Sequence, residues 1–155
     1  MPRRAKSARE QFARAVTSIR ETKGLSLNEV ARAAAISRNT IYLIETHCAN
    51  VQLGTVARLS IALDVDPRVF FSNISPPLAP PANLQETIRK TIASNIKTKR
   101  LELQMSQNEL ERDLAMPRGY LGTIERTAPD LSLDLLERIA CRLSVELDLL
   151  FAPPL

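Results

Sequence analysis

The sequence predicts an all-α protein built from two tandem five-helix domains that a proline-rich linker joins. Three observations support this prediction: the composition, the helical spacing of the apolar residues, and a repeat along the chain. Four glycines among 155 residues are too few for the many tight turns of a sandwich or barrel. Ten prolines suit short helices separated by breaks. With no tryptophan and 4% aromatic residues, the core must be mainly aliphatic.

The second half of the chain matches the first at a constant offset of 80 residues, without a gap. Self-similarity at a fixed offset indicates a duplicated structural unit. The identical pairs run from Arg20 and Arg100 to Phe71 and Phe151, and many other positions are apolar in both copies. Each copy holds about 70 residues, a size that folds alone but only marginally.

A run of prolines separates the two copies. Four of them exclude a helix interior and favour an extended, stiff segment: Pro76, Pro77, Pro80 and Pro81. At about 3.1 Å per residue, such a linker can reach roughly 34 Å, the separation of two half-sites on one face of DNA. We therefore predict a basic arm at residues 1–9, a first domain at 10–72, the linker at 73–83 and a second domain at 84–155.

Local signals place five helices in the first copy. Phe12, Val16 and Ile19 recur at the spacing of one helix face, which predicts a helix from about Ala8 to Thr22. Ser26 followed by Glu29 is the capping-box pattern that begins a second helix. The remaining bounds are predicted as Leu27–Ala33, Arg38 to about Thr46 after a Ser37 cap, about Gln52–Ala62, and a last helix that Pro67 opens.

The second copy repeats these signals. Three isoleucines at helical spacing should face its core: Ile88, Ile92 and Ile96. Its five helices should begin at Asn83 with Glu86, at Ser106 with Glu109, at Pro117, at Ser132, and near Val145.

The charge is distributed unevenly between the halves. Residues 1–75 hold 11 Lys and Arg against 6 Asp and Glu, whereas residues 76–155 hold 10 against 11. A basic half favours a polyanionic partner, and a nearly neutral half favours a less electrostatic one.

Two short helices joined by a tight turn, with polar and basic residues opening the second, form a helix-turn-helix pattern. If Ile41 and Ile44 pack inward, the opposite face of the third helix must point outward. Arginine matches the acceptor pair of guanine in the major groove, and asparagine matches the donor and acceptor of adenine. The helix N-terminus after Ser26 can hold a phosphate. The outward face should carry Ser37, Arg38, Asn39, Thr40, Tyr42 and Leu43.

Two stretches, 25–31 and 36–45, resemble the Cro and phage-repressor type of helix-turn-helix, the XRE family, and 53–71 resembles the last two helices of that family. In the second copy, 105–110 and 116–126 resemble the same motif. The resemblance implies a lambda-repressor-like fold, double-stranded DNA as the partner, a role in transcription regulation, and a bacterial, nucleoid-associated protein.

The resemblance also implies which residues contact DNA. Base contacts would come from Arg38, Asn39 and Leu43, and backbone contacts from Ser26, Thr40 and the segment 46–50. The complete predicted set is Ser26, Asn28, Ser37, Arg38, Asn39, Thr40, Tyr42, Leu43, Asn50, Ser106, Gln107, Arg118 and Tyr120.

The two copies depart from the family pattern in different ways. The first has Leu27 where the family usually has glutamine. The second keeps Gln107 but surrounds Arg118 with Pro117, Gly119 and Tyr120. We therefore expect the first copy to be the main reader, and the second to bind a degenerate half-site or to serve another role.

The sequence argues against an enzyme, a metal protein and a membrane protein. It contains no phosphate-binding loop, no nucleophile elbow and no glycine-rich dinucleotide turn. One histidine and two separate cysteines are too few ligands for zinc, and no run of about 18 apolar residues exists. We expect no catalytic residues, no metal, no cofactor, no membrane contact, and a reduced cytoplasmic protein.

Three functions are compatible with these patterns. The first is a sequence-specific transcriptional regulator of the repressor type. The second is a protein–protein adaptor of the antitoxin or anti-activator type, whose second domain docks a protein or forms a homodimer. The third is a nonspecific architectural protein of the chromosome, which would leave no footprint on any particular sequence.

Overall fold

The computed structural model describes residues 5–72 and 78–154. Part of the predicted arm and part of the predicted linker, residues 1–4 and 73–77, lie outside these ranges. Within them the chain forms nine α-helices, one 3-10 helix and a single isolated β-bridge. The helices are α1 Ala8–Thr22, α2 Leu27–Ala34, α3 Arg38–His47, α4 Leu53–Ala62, the 3-10 helix Pro67–Phe70, α5 Leu84–Glu102, α6 Gln107–Asp113, α7 Tyr120–Thr127, α8 Leu133–Arg142 and α9 Leu147–Leu150. The prediction of an all-α tandem repeat is confirmed.

A serine stands at the N-cap of five of these helices. Its side-chain oxygen accepts from one of the N–H groups in the first turn, which have no partner within the helix. The predicted capping boxes form at Ser26 with Glu29 and at Ser106 with Glu109, and a third forms at Ser7. The hydroxyls of Ser37 and Ser132 accept from the third residue of their own helices. Four of these caps were predicted, and the structure confirms them: Ser26, Ser37, Ser106 and Ser132.

One predicted helix start is wrong, and one predicted cap bond does not form. Asn83 stands at the N-cap of α5, as predicted, but it adopts a left-handed conformation with φ 57° and makes no side-chain cap bond. The third helix of the second copy begins at Tyr120 and not at Pro117, because Gly119 at φ 82° interrupts helical geometry. The buried carboxylate of Glu111 accepts from the backbone N–H of Gly119 at 3.0 Å and of Leu121 at 2.8 Å. A carboxylate from the neighbouring helix α6 thus caps α7 where the sequence suggested a proline.

Helix ends in the two copies use the same left-handed turns. Four positions 80 residues apart share a positive φ between 47° and 65°: Gly24 and Gln104, Ala35 and Ala115, Cys48 and Ala128, Asp64 and Ser144. Only the first pair contains a glycine, the residue that adopts this conformation without steric cost. The other seven residues carry a Cβ in a conformation that disfavours it.

Replacing Gln104 with glycine is expected to raise the free energy of unfolding by about 0.5–1 kcal/mol, because relief of the left-handed strain exceeds the entropy that glycine adds to the unfolded chain. Urea denaturation followed by circular dichroism measures the change. The matched control is Gly24→Gln, where no atom lies within 4 Å of an added Cβ, so only backbone strain changes. Unchanged stability in both variants would contradict the prediction.

The buried apolar side chains of both copies form one continuous cluster. In the first copy Phe12, Ile41 and Ile44 are fully buried, and Phe12 packs edge-on against Phe70 with ring centroids 4.9 Å apart. Equivalent positions in the second copy hold Ile92, Leu121 and Ile124, which are also fully buried. The two copies, called lobes below, therefore share one core and are not joined by the linker alone.

The lobes meet through a pair of backbone hydrogen bonds around an antiparallel bridge between Gln52 and Ser132. The N–H of Leu53 donates to the carbonyl of Leu131, and the N–H of Leu133 donates to the carbonyl of Val51, both at 2.9 Å. Each residue of one bond has its equivalent, 80 positions away in the other lobe, in the other bond: Leu53 corresponds to Leu133, and Leu131 corresponds to Val51. The interface is therefore isologous within one chain, like that of a two-fold symmetric dimer.

Side chains across the interface follow the same symmetry. Asn50 Oδ1 accepts from the N–H of Asp134 at 3.1 Å, and Asp130 Oδ1 accepts from the N–H of Gly54 at 2.9 Å. Each lobe thus caps the first turn of α4 or α8 in the other lobe, where N–H groups lack helical partners. The rings of Phe71 and Phe151 stack with centroids 5.1 Å apart. These contacts define a pseudo-two-fold axis.

Candidate nucleic-acid interface

The outward face of α3 is polar at its beginning and apolar further along. Ser37, Arg38 and Asn39 are exposed, and Thr40 is half-buried. Tyr42 and Leu43 are 43% and 38% exposed, so both side chains are accessible from solvent. The predicted outward set therefore lies on one accessible surface.

An ion pair fixes the orientation of α3. The Arg20 guanidinium donates to both carboxylate oxygens of Glu45, at 2.6 Å and 2.8 Å. Its third bond goes to the carbonyl of Leu25 at 2.9 Å, just ahead of α2. One side chain thus connects the end of α1, the turn before α2 and the inner side of α3. This bidentate geometry sets the rotation of α3 and hence which residues face out.

At the start of α3 the serine and threonine are already bonded to each other. The Ser37 hydroxyl accepts from the Thr40 N–H at 2.9 Å and lies 2.7 Å from the Thr40 hydroxyl. Across the described ranges, neither the side chain of Arg38 nor that of Asn39 has a hydrogen-bond or ion-pair partner in the protein. Their donors and acceptors are free for a ligand.

The start of α2 is accessible but carries a carboxylate. Ser26 and Asn28 are exposed, and Glu29 accepts from the Ser26 N–H at 2.7 Å. Hydrogen bonds from the Ser26 backbone and hydroxyl lower the pKa of Glu29, so it stays charged. The Ser26 hydroxyl oxygen in turn accepts from the Glu29 N–H at 3.1 Å.

In the second lobe the equivalent surface has fewer polar groups. Arg118 is exposed and Tyr120 is half-buried. The amide of Gln107 points inward, donating to Glu125 at 2.8 Å, and its oxygen would lie 3.2 Å from a Cβ added at Gly122. Ser106 is exposed and engaged in its capping box. Of the four predicted residues in this lobe, Arg118 alone presents a free charge outward.

One predicted DNA contact and one residue of the predicted basic arm form hydrogen bonds between the lobes. Asn50, placed by the sequence among the backbone contacts, uses its side-chain oxygen to cap α8. Arg9, placed in the basic arm, lies in α1 and forms a bidentate pair with Asp134, one bond measuring 2.6 Å. Hydrogen bonding from Arg9 lowers the pKa of Asp134. Lys6 remains exposed.

Sequence reasoning missed the residues that hold the lobes together. Asp130 and Asp134 were not singled out, although Asp130 stands at the position equivalent to Asn50, just ahead of a helix. Two short polar side chains that can cap a helix, at matching places in a repeat, were the available signal. Arg126 was also missed: it is exposed on α7, at the position equivalent to Thr46.

Within the described ranges no helix has the length and hydropathy needed to cross a membrane. Comparison with curated proteins and with solved structures gives no significant match. The family profile described as "Helix-turn-helix" matches twice, at residues 17–70 and 96–150, which together cover more than half of the chain. The chain therefore belongs to the helix-turn-helix family of the Cro and phage-repressor type, a family of DNA-binding regulators, and carries two copies of its domain.

Proposed function

We propose that this protein is a sequence-specific repressor that reads the major groove of double-stranded DNA mainly with α3. The proposal rests on one observation about α3. An ion pair fixes its inner side, whereas polar side chains on its outer side have no partner in the described part of the protein. Glu45 is fixed by Arg20, while Arg38 and Asn39 are exposed and unpartnered within the described residues. Groups held rigidly and left unpaired are suited to reading base edges.

The chemistry of α3 fits a mixed half-site. Arg38 can donate twice to a guanine, and the amide of Asn39 can pair with adenine N6 and N7. Tyr42 and Leu43 offer apolar contact to a thymine methyl group. Ser26, Asn28, Ser37 and Thr40 would hold the phosphates on either side and set the register without reading sequence.

The second lobe adds a weaker contact in this proposal. Arg118 can bind one guanine, and Ser106 and Tyr120 can reach the backbone. For the Gln107 amide nitrogen to contribute, it must give up its hydrogen bond to Glu125, whose two oxygens would then be held by Arg100 alone. Repression follows from occupancy, because a protein bound across promoter DNA excludes the polymerase from it.

Selection of binding sites from random duplex DNA tests the proposal. The full chain is the right reagent, because each lobe caps a helix of the other. We expect one enriched motif containing guanine and adenine under α3, and repression of a reporter that carries this motif in its promoter. Enrichment of no motif, with binding that depends only on salt, would contradict sequence-specific reading and favour an architectural role.

A protein–protein adaptor remains the second candidate because of one apolar surface in the second lobe. Leu149 is 53% exposed and lies in a groove with Val145, Leu150, Pro153 and Pro154 between α5 and α9. Capture of one defined protein by the full chain, surviving nuclease and high salt and lost on Leu149→Ser, would support this role. A chain that selects no DNA motif but retains such a partner would replace the repressor proposal.

A further inference from the structure

The two lobes form one body through contacts that respect two-fold symmetry. The bridge at Gln52 and Ser132, the reciprocal caps from Asn50 and Asp130, and the Phe71–Phe151 stack all relate residues 80 positions apart. The surface that could pair two such domains from different chains is therefore used within one chain. A second copy cannot dock on it in the same way.

This symmetry fixes how α3 and α7 are related. A two-fold rotation does not change height along its axis, so the two helices lie at the same level on opposite sides of it. Both helices end five residues before the bridge, at His47 and Thr127, so the chain leads from the C-terminal end of each helix to the axis. Duplex DNA has the same symmetry, because major-groove half-sites one turn apart are related by a dyad.

The two reading surfaces nevertheless differ in chemistry. Four positions change character between α3 and α7: Asn39 becomes Gly119, Thr40 becomes Tyr120, Tyr42 becomes Gly122, and Leu43 becomes Thr123. Arginine alone is retained at the start, as Arg38 and Arg118. Loss of the asparagine removes the adenine-specific pair from the second surface.

We propose that a single chain, without a second copy, occupies one two-part DNA site whose halves differ: a closely specified half under α3 and a loosely specified half under α7. The proposal rests on the repressor function above and adds the stoichiometry and the asymmetry of the site. The arrangement of the lobes seen here is then already the DNA-binding arrangement, and no dimerisation step precedes binding.

A disulfide across the axis tests this directly. Gln52 and Ser132 form a non-hydrogen-bonded antiparallel pair, whose Cα atoms lie about 4.5 Å apart. That separation is within the range of disulfides, so Gln52→Cys with Ser132→Cys should oxidise readily. Cys48→Ala and Cys141→Ser remove the native thiols, and the first of these reproduces the residue found at position 128.

The oxidised and reduced forms of this one variant provide the matched comparison, because both lack the Ser132 cap. We expect the Kd for the selected site to agree within about twofold, since a lock on the binding arrangement costs no affinity. We also expect one chain per duplex at saturation. The selected motif should not be palindromic, because its two halves differ.

Three results would overturn the inference: failure of the folded variant to form the disulfide, loss of tenfold or more in affinity on oxidation, or two chains on a palindromic motif. Failure of the repressor function looks different. In that case no motif is selected by the reduced variant or by the native chain, whatever the state of the disulfide.

Discussion

Replacing Glu125 with alanine is expected to lower the free energy of unfolding by about 3–5 kcal/mol. The Arg100 side chain is 7% exposed and the Glu125 side chain 5% exposed. Arg100 donates to both Glu125 oxygens, at 2.7 Å and 3.0 Å, and to the carbonyl of Met105 at 2.7 Å. Removal of the carboxylate leaves a guanidinium in the interior without its counter-charge. Urea denaturation followed by circular dichroism measures the loss.

Two further variants separate the charge from the shape. Glu125→Gln keeps an acceptor oxygen in the same place, so it should lose less than alanine does. Glu45→Ala is the matched change in the first lobe, where the partner Arg20 is 14% exposed and can reach water. We expect a smaller loss there. Equal and small losses at both positions would show that neither pair holds its helix in place.

The same pair has a pH signature. Burial raises the pKa of Glu125, but hydrogen bonds from Arg100 and Gln107 outweigh it, so the folded-state pKa is lowered. The stabilisation is thus fully present above the ordinary glutamate pKa of about 4.3 and is lost as the pH falls through the lowered value. Between pH 6 and 3 the native chain should lose more stability than Glu125→Gln does.

Replacing Arg38 with alanine is expected to weaken binding to the selected site by about 1–3 kcal/mol and to remove the preference at one base pair. Arg38 is exposed at the first position of α3, next to Asn39, and it has no partner among the described residues. A bidentate contact with guanine is worth this amount against a wrong base. Fluorescence anisotropy on the selected duplex and on single-base variants measures both effects.

Two arginine variants serve as controls for Arg38. Arg14→Ala removes one positive charge from the same lobe at an exposed position on α1, outside the predicted reading surface, so it should leave base preference unchanged. Arg118→Ala should cost less than Arg38→Ala, because α7 lacks the neighbouring asparagine. If Arg38→Ala weakens selected and random duplexes equally and lowers the salt slope by about 1, Arg38 is a phosphate contact.

Helix positions were predictable where the signal is local. The bounds of α1 agree with the expectation, and Ser26, Ser37, Ser106 and Ser132 cap as expected, because a cap depends on residues within one turn. The start of α7 was not predictable from Pro117, because a carboxylate from α6 decides it. Contacts distant in sequence override local preference.

The placement of the lobes was the least predictable feature. A stiff linker suggested that its reach sets the distance between the two reading helices. Direct bonds between backbone groups about 80 residues apart set the placement instead. Backbone hydrogen bonds between loops leave little trace in the sequence, and only the matched Asn50 and Asp130 pointed to them. The candidate surface of α3 was easier to predict, because its buried isoleucines determine its exposed side.

Because each lobe caps a helix of the other, the loss of one copy affects the copy that is left. A shortened product holding only one copy would expose the ring of Phe71 or Phe151 and lose the side chain that caps the first turn of α4 or α8. Deletion of either half is therefore expected to destabilise the half that remains. Substitutions in the reading surface of one lobe can accumulate as long as that lobe keeps its contacts with the other. Both copies can therefore be kept for the stability of the fold while the DNA sequences that they recognise diverge.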